Sequence, residues 1–193
     1  MRAAAAAFSD AGFAATSVDD VAKAAGITKL IVYRHFESKD ELYRAILEET
    51  ATLLADEWIR FTDIEHSDGA AVRTLLTVAR GNPDGFRLLF VHAAREPEFS
   101  AYHAEFRRLQ IDVADRIIGE RIDDPVMRTW ATSIVIDHLV AAVLDWLSCD
   151  SPERDEEFVE VSTASLAALV RAIVRNVRRE VVVIPTAAAA QPV

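Results

Sequence analysis

Residues 16–36 read Thr16-Ser17-Val18-Asp19-Asp20-Val21-Ala22-Lys23-Ala24-Ala25-Gly26-Ile27-Thr28-Lys29-Leu30-Ile31-Val32-Tyr33-Arg34-His35-Phe36. Ser17 is suited to cap a helix, and Asp19 and Asp20 suit the positive end of that helix. Val18, Val21 and Ala25 form an apolar stripe, and Ala22 is small where a second helix must cross closely. Gly26 supplies the turn, because glycine takes a positive φ at little cost. Ile27 then fills the corner, Thr28 caps a second helix, and Val32 and Phe36 pack that helix back. The stretch predicts a helix, a short turn and a helix at a steep angle.

The second helix is only about two turns long. Its remaining positions carry Thr28, Lys29, Leu30, Tyr33, Arg34 and His35. A DNA major groove admits one α-helix. On that reading Lys29 and Arg34 meet phosphates or guanine edges, Tyr33 offers its hydroxyl to a phosphate, and Leu30 and Ile31 touch thymine methyls. Ser38-Lys39-Asp40-Glu41 reads as a capping box, which places Lys39 at a helix N-terminus where free N–H groups attract phosphate. Taken singly, Lys29 and Lys39 fit a solvated surface equally well, and Tyr33 and Phe36 fit an ordinary core. The joint spacing favours nucleic acid.

The surrounding charge agrees once its distribution is considered. The 193 residues carry a net charge of -10, which taken whole opposes a polyanion. Residues 23–39, however, hold four basic side chains against one acidic, whereas residues 51–193 hold 15 basic against 23 acidic. Hydrophobic residues make up 51% of the chain, enough for one ordinary core and a small satellite domain. No apolar run reaches the ~18 residues that would span a bilayer. The longest, around Ile134 to Leu144, is interrupted by Asp137 and His138. The alanine run near Met1 turns polar at Ser9-Asp10 and reads as a helix rather than a signal peptide. Cys149 is the single cysteine, so no internal disulfide forms, and a cytoplasmic, reducing location is expected.

Helical periodicity continues along nearly the whole chain, giving an all-α expectation. Pro83, Pro97, Pro125 and Pro152 each sit where a first helical turn accepts proline, and Asn82, Asp124 and Ser151 precede three of them as N-caps. Predicted helices cover residues 1–13, 17–24, 28–35, 39–61, 69–80, 83–93, 97–119, 125–148 and 152–178. The only strand-like run, Val181 to Ile184, is short, and the Ala-rich tail that ends the chain has no core-facing pattern. The expected organisation is a three-helix, helix-turn-helix DNA-binding domain over 1–46, a helical ligand-binding and dimerisation domain over 47–180, and a disordered tail over 181–193. The 125–148 helix is apolar on more than one side, and 152–178 carries small residues such as Ser165, Ala168 and Ala172. In a chain of this size one apolar side must face something other than its own core, so these two helices are expected to pair with their copies as a four-helix bundle; a purely intramolecular core is the alternative.

The run Phe8-x4-Phe13-x2-Thr16-Ser17-Val18-x2-Val21-Ala22-x2-Ala25-Gly26-Ile27-Thr28-x4-Tyr33-x-His35-Phe36-x-Ser38-Lys39-x2-Leu42 resembles the TetR/AcrR family of bacterial repressors. The resemblance covers about 40 residues. It implies DNA contacts at Thr28, Lys29, Tyr33, His35 and Lys39, with a helper at Thr16 or Ser17. It also implies a homodimer and a small-molecule effector held in the C-terminal domain. Candidate wall residues there are Phe86, Phe90, Arg95, His103, Trp130 and His138, with His92, Phe99 and Phe106 nearby in sequence. Arg95 and His138 stand out because a polar group on an apolar helix needs a partner; a satisfied core histidine is the other reading of His138. Two departures from the family pattern matter. Leu30 and Ile31 stand where many relatives have a small residue, which implies a distinct operator or a partly buried recognition helix. No basic arm precedes the first helix, which leaves minor-groove contacts unassigned.

The expected function is a ligand-responsive regulator, a repressor, that binds palindromic double-stranded operator DNA and is released by its effector. No cofactor, metal or membrane is expected. The histidines and Cys149 lack zinc spacing, and neither a Gly-rich phosphate loop nor a Gly-x-Ser-x-Gly elbow occurs, so enzymatic activity is not expected. Two alternatives stand beside it: a helical binding protein that has lost DNA binding, and an α-helical enzyme using a pocket histidine such as His138.

Overall fold

The computed structural model describes residues 1–58 and 69–179. His66, the predicted helical residues 59–61, the run Val181 to Ile184 and the tail lie outside the described residues. Among those described, the chain is helical with no strand: α1 Arg2–Ala15, α2 Val18–Ala24, α3 Lys29–His35, α4 Lys39–Trp58, α5 Ala70–Gly81, α6 Pro83–Arg87, α7 Ser100–Ile118, α8 Pro125–Ser148 and α9 Asp155–Arg179.

Proline punctuation works as expected at two sites. The Asn82 carboxamide accepts the Gly85 N–H at 3.0 Å, and the Asp124 carboxylate accepts the Met127 N–H at 2.8 Å, each before a proline in the first turn. The other two sites differ. Pro97 lies in a turn and α7 begins only at Ser100, while Pro152 opens a short 3-10 turn before α9. Directly after α6, Leu88–His92 form a wider π turn in which the Ala93 N–H reaches back to the Leu88 carbonyl at 2.8 Å. Gly85 is glycine for space: a Cβ there would stand 2.3 Å from Asn82 Nδ2 and 2.7 Å from Thr50 Oγ1.

A continuous core joins the N-terminal helices to the rest. Phe8 and Phe13 of α1, Tyr43 and Leu47 of α4, Leu75 of α5, Phe86 of α6 and Phe99 are all buried in it. α4 runs from the helix-turn-helix into the C-terminal bundle, so one rigid element serves both. A smaller cluster of Ile122, Ala131 and Ile173 closes the far end between α8 and α9. The start of α9 is anchored by Asp155, which accepts two hydrogen bonds from Arg80 at 2.8 and 3.2 Å and one from the Trp146 indole N–H at 2.7 Å. The Trp146 ring stacks on Phe158 at 4.9 Å.

α8 is long and apolar enough to cross a membrane by length and composition. It nonetheless packs on α5, α7 and α9, and Arg107 of α7 clamps its Asp137 with bonds of 2.7 and 3.0 Å. Those are the contacts of a helix in a bundle.

Candidate nucleic-acid interface

The helix-turn-helix is built by local chemistry. Ser17 and Asp20 form a complete capping box: the Ser17 hydroxyl accepts the Asp20 N–H at 3.2 Å, and the Asp20 carboxylate accepts the Ser17 N–H at 3.0 Å. The Ser17 hydroxyl itself donates to that carboxylate at 2.6 Å, and this bond is the first reason the Asp20 pKa lies below its ordinary value. Gly26 adopts φ 67, as the turn requires. Val18, Val21 and Ala22 of α2 and Val32 of α3 are buried in the shared core, with α2 packed on both α1 and α3.

Several predicted details need correction. Ala25 and Ile27 are exposed, so Ala22 rather than Ala25 completes the inner stripe and Ile27 does not fill the corner. Thr28 occupies the N-cap position of α3 without a side-chain cap bond, which leaves its hydroxyl free to face outward. Near α4, Ser38 accepts the Glu41 N–H at 3.1 Å, but Glu41 turns to the Glu37 N–H, so the box closes one residue early.

α3 has a single buried residue, Val32. Thr28, Lys29, Leu30, Ile31, Tyr33, Arg34 and His35 are all exposed, and Leu30 is 75% exposed. The helix is therefore presented whole, and a partly buried recognition helix is ruled out. Lys29 pairs with Asp19 at 2.8 Å and its ammonium stands 5.9 Å from the Tyr33 ring centre. The hydrogen bond that Lys29 donates to Asp19 is the main cause that raises the Lys29 pKa.

Two predicted contacts stand elsewhere. Thr16 is only 3% exposed, and its hydroxyl donates to the Gly12 carbonyl at 2.7 Å, so it locks the end of α1 and has nothing to offer a phosphate. Ser17 remains the exposed member of that pair. Lys39 is half-buried: its ammonium donates to the Phe13 carbonyl at 2.7 Å and lies 4.2 Å from the Phe13 ring centre. The sequence carried no signal for this pairing, because its partner is a backbone atom 26 residues away.

The candidate effector residues separate into groups. Phe86 is fully buried and packs on Phe90 at 4.5 Å, and Phe90 meets Phe106 at 5.7 Å. His103, one turn before Phe106, is half-buried, and burial first and Arg107 second push its pKa down. His138 lies 3.3 Å from the Ser165 hydroxyl, so it has its partner. Arg95 is exposed on the turn before α7 rather than set in an apolar helix, and Trp130 is 49% exposed on α8. Neither lies in the buried phenylalanine cluster.

Residues 1–46 match the family model for bacterial regulatory proteins of the tetR family. That match places a tetR-type domain at the helix-turn-helix. Beyond that domain, the chain is 29% identical over 167 residues to the HTH-type transcriptional activator FasR of Mycolicibacterium smegmatis, covering 79% of this chain and 73% of that protein. Solved TetR-fold structures extend the likeness to the C-terminal helices. The regulator FadR from Bacillus subtilis, in complex with stearoyl-CoA, superposes with a TM-score of 0.64 at 17% identity, over 87% of this chain and 94% of that one. AibR, in complex with isovaleryl coenzyme A and operator DNA, gives 0.66 at 20% identity, over 85% and 94%. At such identities the likeness concerns the fold.

Proposed function

We propose that this protein is a ligand-responsive transcriptional regulator, a repressor, that binds palindromic operator DNA as a homodimer and releases it when a small molecule occupies the C-terminal domain. The carrying observation is α3: seven residues with one buried side chain, presenting Thr28, Lys29, Leu30, Tyr33, Arg34 and His35 beside Ser17. A helix so exposed, with charge, hydroxyls and apolar tips interleaved, matches the mixed chemistry of a major groove. Lys39 belongs to this set by bracing α1 against α4, and it also stands near enough to α3 in sequence for a phosphate role.

Dimerisation is supported by the outer faces of α8 and α9. Val126 and Trp130 are exposed on α8, while Val161 at 64%, Ala164, Ser165 and Ala168 form an exposed stripe of small residues on α9. Small residues at that spacing let a second pair of helices approach closely, and the two recognition helices then reach half-sites about one helical turn, ~34 Å, apart. Trp130 suits this face better than a pocket. For the effector, Phe90, His103 and Phe106 are half-buried and adjoin one another, and acyl-CoA thioesters are the class to try, because FadR and AibR were solved with them.

The test is selection of bound duplexes from a random library by the purified full chain, followed by titration across a salt series. A palindromic consensus bound by one dimer with a steep salt slope supports the reading; no enrichment overturns it. Transcription from a template whose promoter overlaps the site should fall, and a rise would make the protein an activator. Stearoyl-CoA and isovaleryl-CoA are the first probes for release. Lys39→Ala should weaken binding to every sequence and flatten the salt slope; an unchanged slope confines Lys39 to bracing.

A further inference from the structure

Phe13 is the point where three parts of the chain are tied together. Gly12, with φ 81 and ψ 164, breaks α1 and removes the helical acceptor of the next amide. The Phe13 N–H donates instead to Glu96 Oε1 at 3.1 Å, across 83 residues of sequence. The Phe13 carbonyl accepts the Lys39 ammonium from the first residue of α4. Its ring meets Phe99 edge-on at 4.9 Å and Tyr43 at 5.1 Å. Glu96 and Phe99 both belong to the turn between the π turn and α7.

Around this point α1 rests on the C-terminal helices through apolar contacts, with Ala4, Ala5 and Phe8 buried against the shared core. Apolar contacts are non-directional and tolerate rotation. A carboxylate accepting a single amide N–H does not: it fixes both distance and angle. We infer that Glu96 is a positioning residue for operator binding, holding the Phe13 amide and so setting the angle at which α2 and α3 are presented and the half-site spacing the dimer accepts. The inference rests on the operator-binding reading above.

Its test uses the full chain and the operator that the wild-type protein selects. Matched duplexes have one base pair added or removed at the centre of the palindrome, and a further duplex carries a single half-site. The wild type should lose about tenfold or more in affinity on the shifted duplexes, because a rigid dimer cannot follow the change. Glu96→Ala should bind the parent operator more weakly and discriminate less, with the parent-to-shifted ratio falling toward one. Glu96→Gln keeps an oxygen acceptor and should restore the ratio. Glu96→Asp, which keeps the charge but is too short to reach, should behave like Glu96→Ala and serves where that variant fails to fold. Binding to the single half-site should be equal in all of them, a readout that general damage to the fold would lower. An unchanged ratio in Glu96→Ala and Glu96→Asp overturns the role of Glu96 alone. Absence of any selected DNA with wild-type protein overturns the operator reading, and this inference with it.

Discussion

The Lys29 ammonium at the head of α3 lies 2.8 Å from the Asp19 carboxylate of α2. Both side chains are exposed, so the pair adds little to folding. Its weight falls on DNA binding, since a phosphate has to displace Asp19 to reach Lys29. Asp19→Asn should therefore raise affinity for any duplex several-fold at low salt and steepen the salt dependence by roughly one ion, while the melting temperature stays put. Titrations at several salt concentrations decide it, and equal slopes would remove Lys29 from the phosphate contacts.

Leu30 makes a separate prediction. An exposed leucine on a recognition helix gains by covering a thymine methyl. Replacing each thymine of the selected operator in turn by uracil removes that methyl and leaves the pairing unchanged. One position per half-site should weaken wild-type binding several-fold, by about 1 kcal/mol for a buried methyl, and the same substitution should be silent in Leu30→Ala. If uracil is tolerated everywhere, Leu30 reads no base.

The helix-turn-helix was legible in the sequence because nearly all its determinants are local. Ser17 meets Asp20 three residues on, Gly26 adopts its own left-handed turn, and Val18, Val21 and Val32 follow helical spacing. The prolines gave helix starts within a few residues for the same reason. What could not be read depends on distant partners. A glycine in an alanine-rich helix gives no sign that it will break, and Gly12 does so beside Glu96. Lys39 looked like a free cation because its acceptor is the Phe13 backbone. Thr16 matched the family pattern, yet its hydroxyl is spent on the carbonyl of Gly12. Arg95 looked like a polar group on an apolar helix, yet it stands exposed in the turn between the predicted helices 83–93 and 97–119.

Asp155 couples stability to acid. Two hydrogen bonds from Arg80 first, and one from Trp146 after, hold its pKa below the ordinary carboxylate value. The unfolded chain thus takes up the proton more readily than the folded one. The stability so gained is complete above the unfolded carboxylate pKa, near about 4, and is lost as pH falls through the lower folded value. Asp155→Asn should lower stability at neutral pH by about 1–3 kcal/mol and flatten the acid side of a melting-temperature profile taken from pH 7 to 3. A variant with the parental acid profile would show that Asp155 is not the linked group.

Tyr43 invites the opposite change. Its side chain is fully buried, its hydroxyl has no hydrogen-bond partner, and burial pushes its pKa up. Tyr43→Phe keeps the ring contacts with Phe8, Phe13 and Phe99 and removes the unmet donor. Denaturant unfolding should show equal or greater stability, by up to about 1 kcal/mol. A clear loss would mean that the hydroxyl has a partner in solution.

The wide turn at Leu88–His92 has a consequence in register. A π turn holds one residue more than the α-helical turn it replaces. Deleting a single residue there would let the turn close as a regular α-helical one, with the residues after it facing as they do now, whereas the same deletion in a regular helical turn would rotate everything after it by about 100°. The carboxylate of Glu96, four residues past the turn, would stay on the side that meets α1. A one-codon deletion within 88–92 is thus one that the geometry can absorb: the wide turn gives up its surplus residue, and the two halves of the molecule keep their alignment.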